Sequence, residues 1–171
     1  MIKLLNVLKN CYFCIKYPFL NPYSDKRLFP KYTYLDDMPV GWKKSFGLQL
    51  CEELKRALLR ESKTAFKKYH VVQVKEKYGC LCWYDTYGNI DTNKILHKYE
   101  EISWHTCCMC GRPASVISQG WVCPYCDDCK PNSESFVEFG LKDFPFYGWT
   151  GNINCRDNWS KIEKEYEDNN K

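Results

Sequence analysis

The sequence predicts an α+β fold: a small mixed domain with a central amphipathic helix, a β-hairpin, a second helix and a zinc-ribbon-like four-cysteine module. Three observations carry this expectation. Trp42, Phe46, Leu50, Leu54 and Leu58 recur every four positions, which marks one apolar face of a helix. Val72 and Val74 alternate with polar residues and are followed, across Lys77-Tyr78-Gly79, by Cys80-Leu81-Cys82-Trp83-Tyr84, the pattern of two paired strands. Two Cys-x2-Cys pairs then stand at a separation that can close a tetrahedral thiolate site around Zn²⁺.

In chain order, residues 1–14 suit a short helix with Leu4, Leu5 and Leu8 on one face. Pro18, Pro22 and Pro30 then keep residues 18–38 irregular or extended, as an arm packed on the domain. Asp36 or Asp37 ahead of Pro39 starts the central helix, residues 40–61, whose outer face carries Glu52 and Arg56 at i,i+4. The hairpin follows over residues 69–76 and 80–84. Asp91 or Thr92 caps a second helix that runs to about Trp104, with Ile95, Tyr99 and Ile102 toward the core. Between the cysteine pairs, residues 114–118, the turn Gln119-Gly120 and residues 121–122 read as a hairpin. Past Lys130 the chain is aromatic and turn-rich, and Trp159, Ile162 and Tyr166 suggest a terminal helix. The expected segments are therefore a helix and arm at 1–38, an α+β core at 39–104, the cysteine module at 105–130 and an aromatic extension at 131–171.

The module holds more cysteines than a tetrahedral site needs. Cys107 and Cys110 open the first knuckle, with Gly111 suited to a turn in which amides face thiolates. Pairing them with Cys123 and Cys126 leaves 12 intervening residues, whereas Cys126 and Cys129 leave 15, the usual window for such a site. The expected ligands of one structural Zn²⁺ are Cys107, Cys110, Cys126 and Cys129, with Cys108 and Cys123 as bystanders. Four thiolates saturate the ion and leave no position for water, which favours a structural over a catalytic metal. His105 is an alternative ligand by proximity. Cys11-x2-Cys14 and Cys80-x-Cys82 raise a second metal site, against the alternative of separate free thiols. In a reducing compartment twelve cysteines are free or metal-bound, which agrees with the zinc site and argues against its alternative of buried or disulfide-linked cysteines.

Composition narrows the function classes. Hydrophobic content of 44% and aromatic content of 16% exclude a disordered chain. The amino-terminal run is broken at Lys3, Asn6 and Lys9, so neither a signal peptide nor a membrane span is expected, and the protein is expected in the cytoplasm. The net charge of +4 is uneven: residues 1–80 carry 16 Lys/Arg against 7 Asp/Glu, residues 81–171 carry 9 against 14. The densest basic stretch, Lys63, Lys67, Lys68, Lys75 and Lys77, is the expected partner-binding surface, for phosphates or an acidic protein face; its alternative is a solvated helix end and strand margin. Tyr78, Trp83 and Tyr84 can stack on bases or fill a core. His70, His97 and His105 have no spacing that builds a site, and no nucleophile-base or paired-acid pattern is present, so no enzyme is expected.

The stretch from Gln73-Val74-Lys75-Glu76-Lys77-Tyr78-Gly79 to Tyr84, then Thr106-Cys107-x2-Cys110-Gly111 and Gly120-Trp121-x2-Pro124-Tyr125-Cys126-x2-Cys129, resembles a family of small bacteriophage and prophage proteins of unassigned function. Pro18-Phe19-Leu20 and Asp37-Met38-Pro39-x-Gly41-Trp42 resemble the same group, so the likeness spans roughly residues 17–130. Members usually carry Gly or Ser in place of Cys80 and Arg in place of Cys82, so neither is carried over as a ligand. The resemblance implies a phage accessory gene acting in a bacterial host. It suggests a binding protein that blocks a host protein or nucleoprotein complex, such as a CRISPR-type defence nuclease; the alternative is a nucleic-acid-binding zinc ribbon.

Overall fold

The computed structural model describes residues 12–22, 32–118, 122–132 and 136–138. The chain divides after Phe139, and every described residue belongs to the unit before that point. The helix expected over 1–14 falls mostly outside the described residues, which show helix at 12–16, and the one expected near Trp159 falls wholly outside.

The central helix, α1, is continuous through an opening turn Val40–Trp42, a π-helical stretch Lys43–Gly47 and an α-helical stretch Leu48–Glu61. Its apolar residues explain the wide segment. At 3.6 residues per turn a strict four-residue repeat drifts about 40° around the axis per step. The π-helical turn takes up residues that would otherwise carry Trp42 and Phe46 away from the stripe, and all of Trp42, Phe46, Leu50, Leu54 and Leu58 are buried. Asp36 and Asp37 do not cap this helix, whose N-cap Pro39 makes no side-chain bond. They belong to a 3₁₀ turn, Tyr34–Asp37, in which Asp36 accepts from the Thr33 amide at 2.8 Å and pairs with Lys43. A short helix α2, Lys63–Lys68, follows α1; Ser62 Oγ accepts from the Ala65 amide at 2.9 Å.

Strands β1, His70–Lys77, and β2, Cys80–Thr86, pair antiparallel from His70↔Thr86 to Lys77↔Cys80, with a bulge between Val71 and Gln73. Tyr78 and Gly79 form the turn with φ of 51° and 80°, the doubly positive geometry that matches strand twist. Helix α3, Ile90–Trp104, is capped by Asn89, two residues before Asp91 and three before Thr92: Asn89 Oδ1 accepts from the Thr92 amide at 2.8 Å and Thr92 Oγ1 from the Asn89 amide at 2.7 Å. Leu96 and Tyr99 are buried, while Ile95 and Ile102 are partly buried against the same core. The Leu81 amide donates to Ser103 Oγ at 2.9 Å, which fastens α3 beside β2.

Of the segment expected as an arm, residues 18–22 and 32–38 contribute to the core, and residues 23–31 lie outside the described residues. Pro18–Leu20 is a 3₁₀ turn, and Tyr17, Phe19, Leu20 and Leu35 are buried in one cluster with the α1 stripe. Proline breaks the α pattern without removing apolar side chains from the interior. A second small sheet, ordered β4-β3-β5, is built from β3, Val116–Ser118, β4, Pro124–Tyr125, and β5, Phe136–Glu138. β3 pairs with 124–125, a register continued by Ser118, whose amide donates to the Cys123 carbonyl at 3.1 Å and whose Oγ accepts from the Cys123 amide at 3.0 Å; the expected turn Gln119-Gly120 and Trp121 lie outside the described residues. Among the described residues no helix is long and apolar enough to cross a membrane.

Candidate metal centre

Each Cys-x2-Cys pair sits in a tight turn closed by its own backbone. In the first, the Gly111 amide donates to the Cys107 carbonyl at 3.0 Å and the Cys107 amide to the Arg112 carbonyl at 2.8 Å. Gly111, at φ 84°, supplies the left-handed residue this turn needs. In the second, the Cys129 and Lys130 amides both donate to the Cys126 carbonyl, at 3.0 and 3.1 Å. The β-bridge Thr106↔Pro113 and the Ser115 amide bond to the Tyr125 carbonyl, 2.9 Å, bring the turns together.

The result is a group of four thiols, Cys107, Cys110, Cys126 and Cys129, whose sulfurs all lie within 4.8 Å of one another. A tetrahedron with Zn–S bonds of about 2.3 Å has S···S edges of about 3.8 Å. The Cys110 and Cys126 sulfurs are 3.6 Å apart, so the donor set fits such an ion in number, chemistry and size. It is the one such group of three or more His, Cys, Asp or Glu among the described residues.

Arg112 stands over this group and was not expected as part of it. Its Nε donates to Cys110 Sγ and an Nη to Cys126 Sγ, both at 3.5 Å, and it is held by Asp128 Oδ2 at 2.6 Å. The guanidinium pulls the Cys110 thiol down to about 6. Burial holds the Cys107 thiol up against backbone amides of Cys110, Cys126 and Met109 that point at its sulfur, and the bond with Cys126 pushes Cys129 up to about 12. Four crowded thiols cannot all ionise without a cation, and Arg112 supplies part of that charge. An arginine two residues after the second ligand was the signal available for it.

The first knuckle is docked on the start of α1. The Gly41 amide donates to the Cys108 carbonyl at 2.8 Å, and Trp42 Nε1 to the Thr106 carbonyl at 2.7 Å. A Cβ on Gly41 would lie 2.2 Å from the Cys107 carbonyl oxygen, and one on Gly111 2.6 Å from the Gly41 carbonyl oxygen. Two glycines let two backbones touch.

The other expected residues fall elsewhere. His105 is exposed and outside the thiol group. Cys108 and Cys123 are buried in the main core cluster and hydrogen-bond each other, which lowers the first thiol and raises the second. Cys14, Cys80 and Cys82 join no metal-holding group, and Cys11 lies outside the described residues. The lysines divide in two: Lys63, Lys67 and Lys68 are exposed on α2, while Lys75 and Lys77 are half-buried toward the far end of β1, about 23 Å along the strand from His70 to Lys77. Trp83 is buried and donates to Tyr69 OH at 3.1 Å, so it serves the core; Tyr78 is exposed. Compared with known families, curated proteins and solved structures, the chain finds no match in any of the three.

Proposed function

We propose that the protein is a zinc-stabilised binding protein, in which one Zn²⁺ held by Cys107, Cys110, Cys126 and Cys129 fixes a module whose role is to present a surface. The observation that carries this reading is the four-sulfur group itself: four thiolates would fill every position of a tetrahedral ion, which would then support structure and offer no site for a reacting water. The resemblance of residues 17–130 to small phage proteins supports a partner in a bacterial host, a protein or nucleoprotein complex blocked by occlusion, with a defence nuclease of the CRISPR type as the first to try.

Metal analysis of the purified chain tests the reading. One zinc per chain is expected, lost in Cys107→Ser, Cys110→Ser, Cys126→Ser and Cys129→Ser and kept in Cys123→Ser. Zinc retained by Cys126→Ser together with loss in Cys123→Ser overturns the ligand assignment. Capture from host lysate with the zinc-loaded chain then identifies the blocked partner.

A further inference from the structure

Strand alternation gives the β1–β2 hairpin two unlike faces. The face turned to the core carries buried Val71, Val74, Leu81 and Trp83 and also both acids of the hairpin. Asp85 accepts from Tyr69 OH at 2.7 Å and Glu76 from the Gly79 amide at 2.6 Å. The opposite face carries Gln73, Lys75 and Lys77 of β1 beside Cys80, Cys82 and Tyr84 of β2. Cys82 is buried and Cys80 lies against α3, so its open part is Gln73 with the half-buried Lys75, Lys77 and Tyr84, and no Asp or Glu of either strand stands on it.

Lysines pair with tyrosines along this hairpin. Lys75 Nζ lies 4.9 Å from the Tyr84 ring centre, Lys77 Nζ 6.0 Å from Tyr78 at the turn, and Lys68 Nζ, at the end of α2, 5.9 Å from Tyr87 just beyond β2. Tyr78 and Tyr87 are 56% and 69% exposed. They are also the two non-glycine residues with positive φ among the described residues, at 51° and 62°. The two-residue turn itself calls for positive φ at Tyr78, so the feature that points to use is the choice of an exposed aromatic ring there and at Tyr87, where Asn or Gly is the usual occupant.

We propose that this face is a binding site for single-stranded nucleic acid, with bases stacked on Tyr78, Tyr84 and Tyr87 and phosphates held by Lys68, Lys75 and Lys77. Ring and ammonium side by side match a base and its own phosphate. An acidic protein face needs the lysines alone and leaves the exposed rings unused, and a duplex keeps its bases out of their reach. From Cys80 to Tyr87 the strip is about 23 Å long at about 3.3 Å per residue, room for a short oligonucleotide. This site rests on the reading of the protein as a binding module and adds the surface and the ligand class.

Fluorescence anisotropy of labelled oligothymidylate and oligouridylate with the zinc-loaded full chain tests it. Saturable binding is expected, weaker for a duplex of equal length, and falling roughly 20-fold from 50 to 200 mM salt for three phosphate contacts at a slope of about 0.7 each. Tyr84→Leu, Tyr78→Asn and Tyr87→Asn should each weaken binding at least about five-fold. Asparagine tolerates positive φ, so the last two remove a ring without forcing the turn. Lys75→Gln should lower the salt slope by about 0.7. Absence of saturable binding at 50 mM salt, tyrosine variants that bind like the parent, or polyglutamate displacing the label as well as unlabelled oligonucleotide each overturn the proposal, the last in favour of an acidic protein partner. A zinc-loaded, folded chain that fails these tests leaves the structural-metal reading standing. A chain that binds through these rings yet takes up no zinc overturns that reading and supports the hairpin site.

Discussion

Around α1, order comes from area. Leu50, Leu54 and Leu58 are fully buried beside Trp42, Leu81 and Tyr99, and each such leucine contributes about 1.5–3 kcal/mol by leaving water. In the module at 105–132 the strands are two or three residues long, and its buried residues include Cys107, Cys108, Cys123 and Cys126 beside Val116 and Ile117. So little apolar area cannot order a loop-rich segment by itself, whereas a structural zinc site supplies about 10–16 kcal/mol in small peptides. With the proposed zinc in place, the chain would divide its stability between solvent exclusion and ligation, and the contact between the two parts would then decide how independent they are.

Metal removal should separate the regions most. With a strong chelator, amide hydrogen exchange should rise across residues 105–130 while residues 48–58 and the β1–β2 ladder stay protected. The Gly41 amide, which donates to the Cys108 carbonyl, should lose protection with the module. Uniform protection with and without metal breaks the comparison.

Substitution at the seam should act on both sides. Gly41→Ala places a methyl 2.2 Å from a backbone oxygen and should cost about 3 kcal/mol in urea unfolding while speeding zinc loss to a chelator. Gly47→Ala meets only side chains at 3.5 Å and beyond inside the same helix, so it should be neutral or stabilise by up to about 1 kcal/mol. Equal effects of the two changes would mean that the seam has no special role.

The smallest effect on folding should come from Arg112. Its ion pair with Asp128 is exposed, so Arg112→Gln should change unfolding of the metal-free chain by less than about 0.5 kcal/mol. Removal of charge beside Cys110 and Cys126 should nonetheless weaken zinc retention about ten-fold, read by competition with a chromogenic chelator. A large stability loss with unchanged zinc affinity would reverse the assignment.

Features written in side-chain pattern are legible in the sequence: the α1 stripe, the hairpin, and the two Cys-x2-Cys pairs that the fold brings together. Features that depend on backbone meeting backbone were not. Nothing local to Gly41 shows that residues 107 and 111 will lie against it, because a glycine required by a distant chain looks like any other. The α3 cap was misplaced because Asp91 and Thr92 also suit that role, and only the reciprocal Asn89–Thr92 bonds decide between them. Burial of Tyr17 and Phe19 was hidden by prolines that announce irregular backbone and say nothing about where its rings go. The lysine cluster looked continuous in sequence because a strand spreads neighbours over a length that a linear count ignores.

The bond from Trp42 to the Thr106 carbonyl spans 64 residues. During synthesis the body of α1 can coil as soon as it emerges, but its first turn has no partner until the first knuckle has been made. Until then Trp42 has no acceptor at Thr106 and the Gly41 amide none at Cys108. Anchoring of the helix start is therefore a late event, timed by the arrival of the cysteines rather than by the helix's own sequence.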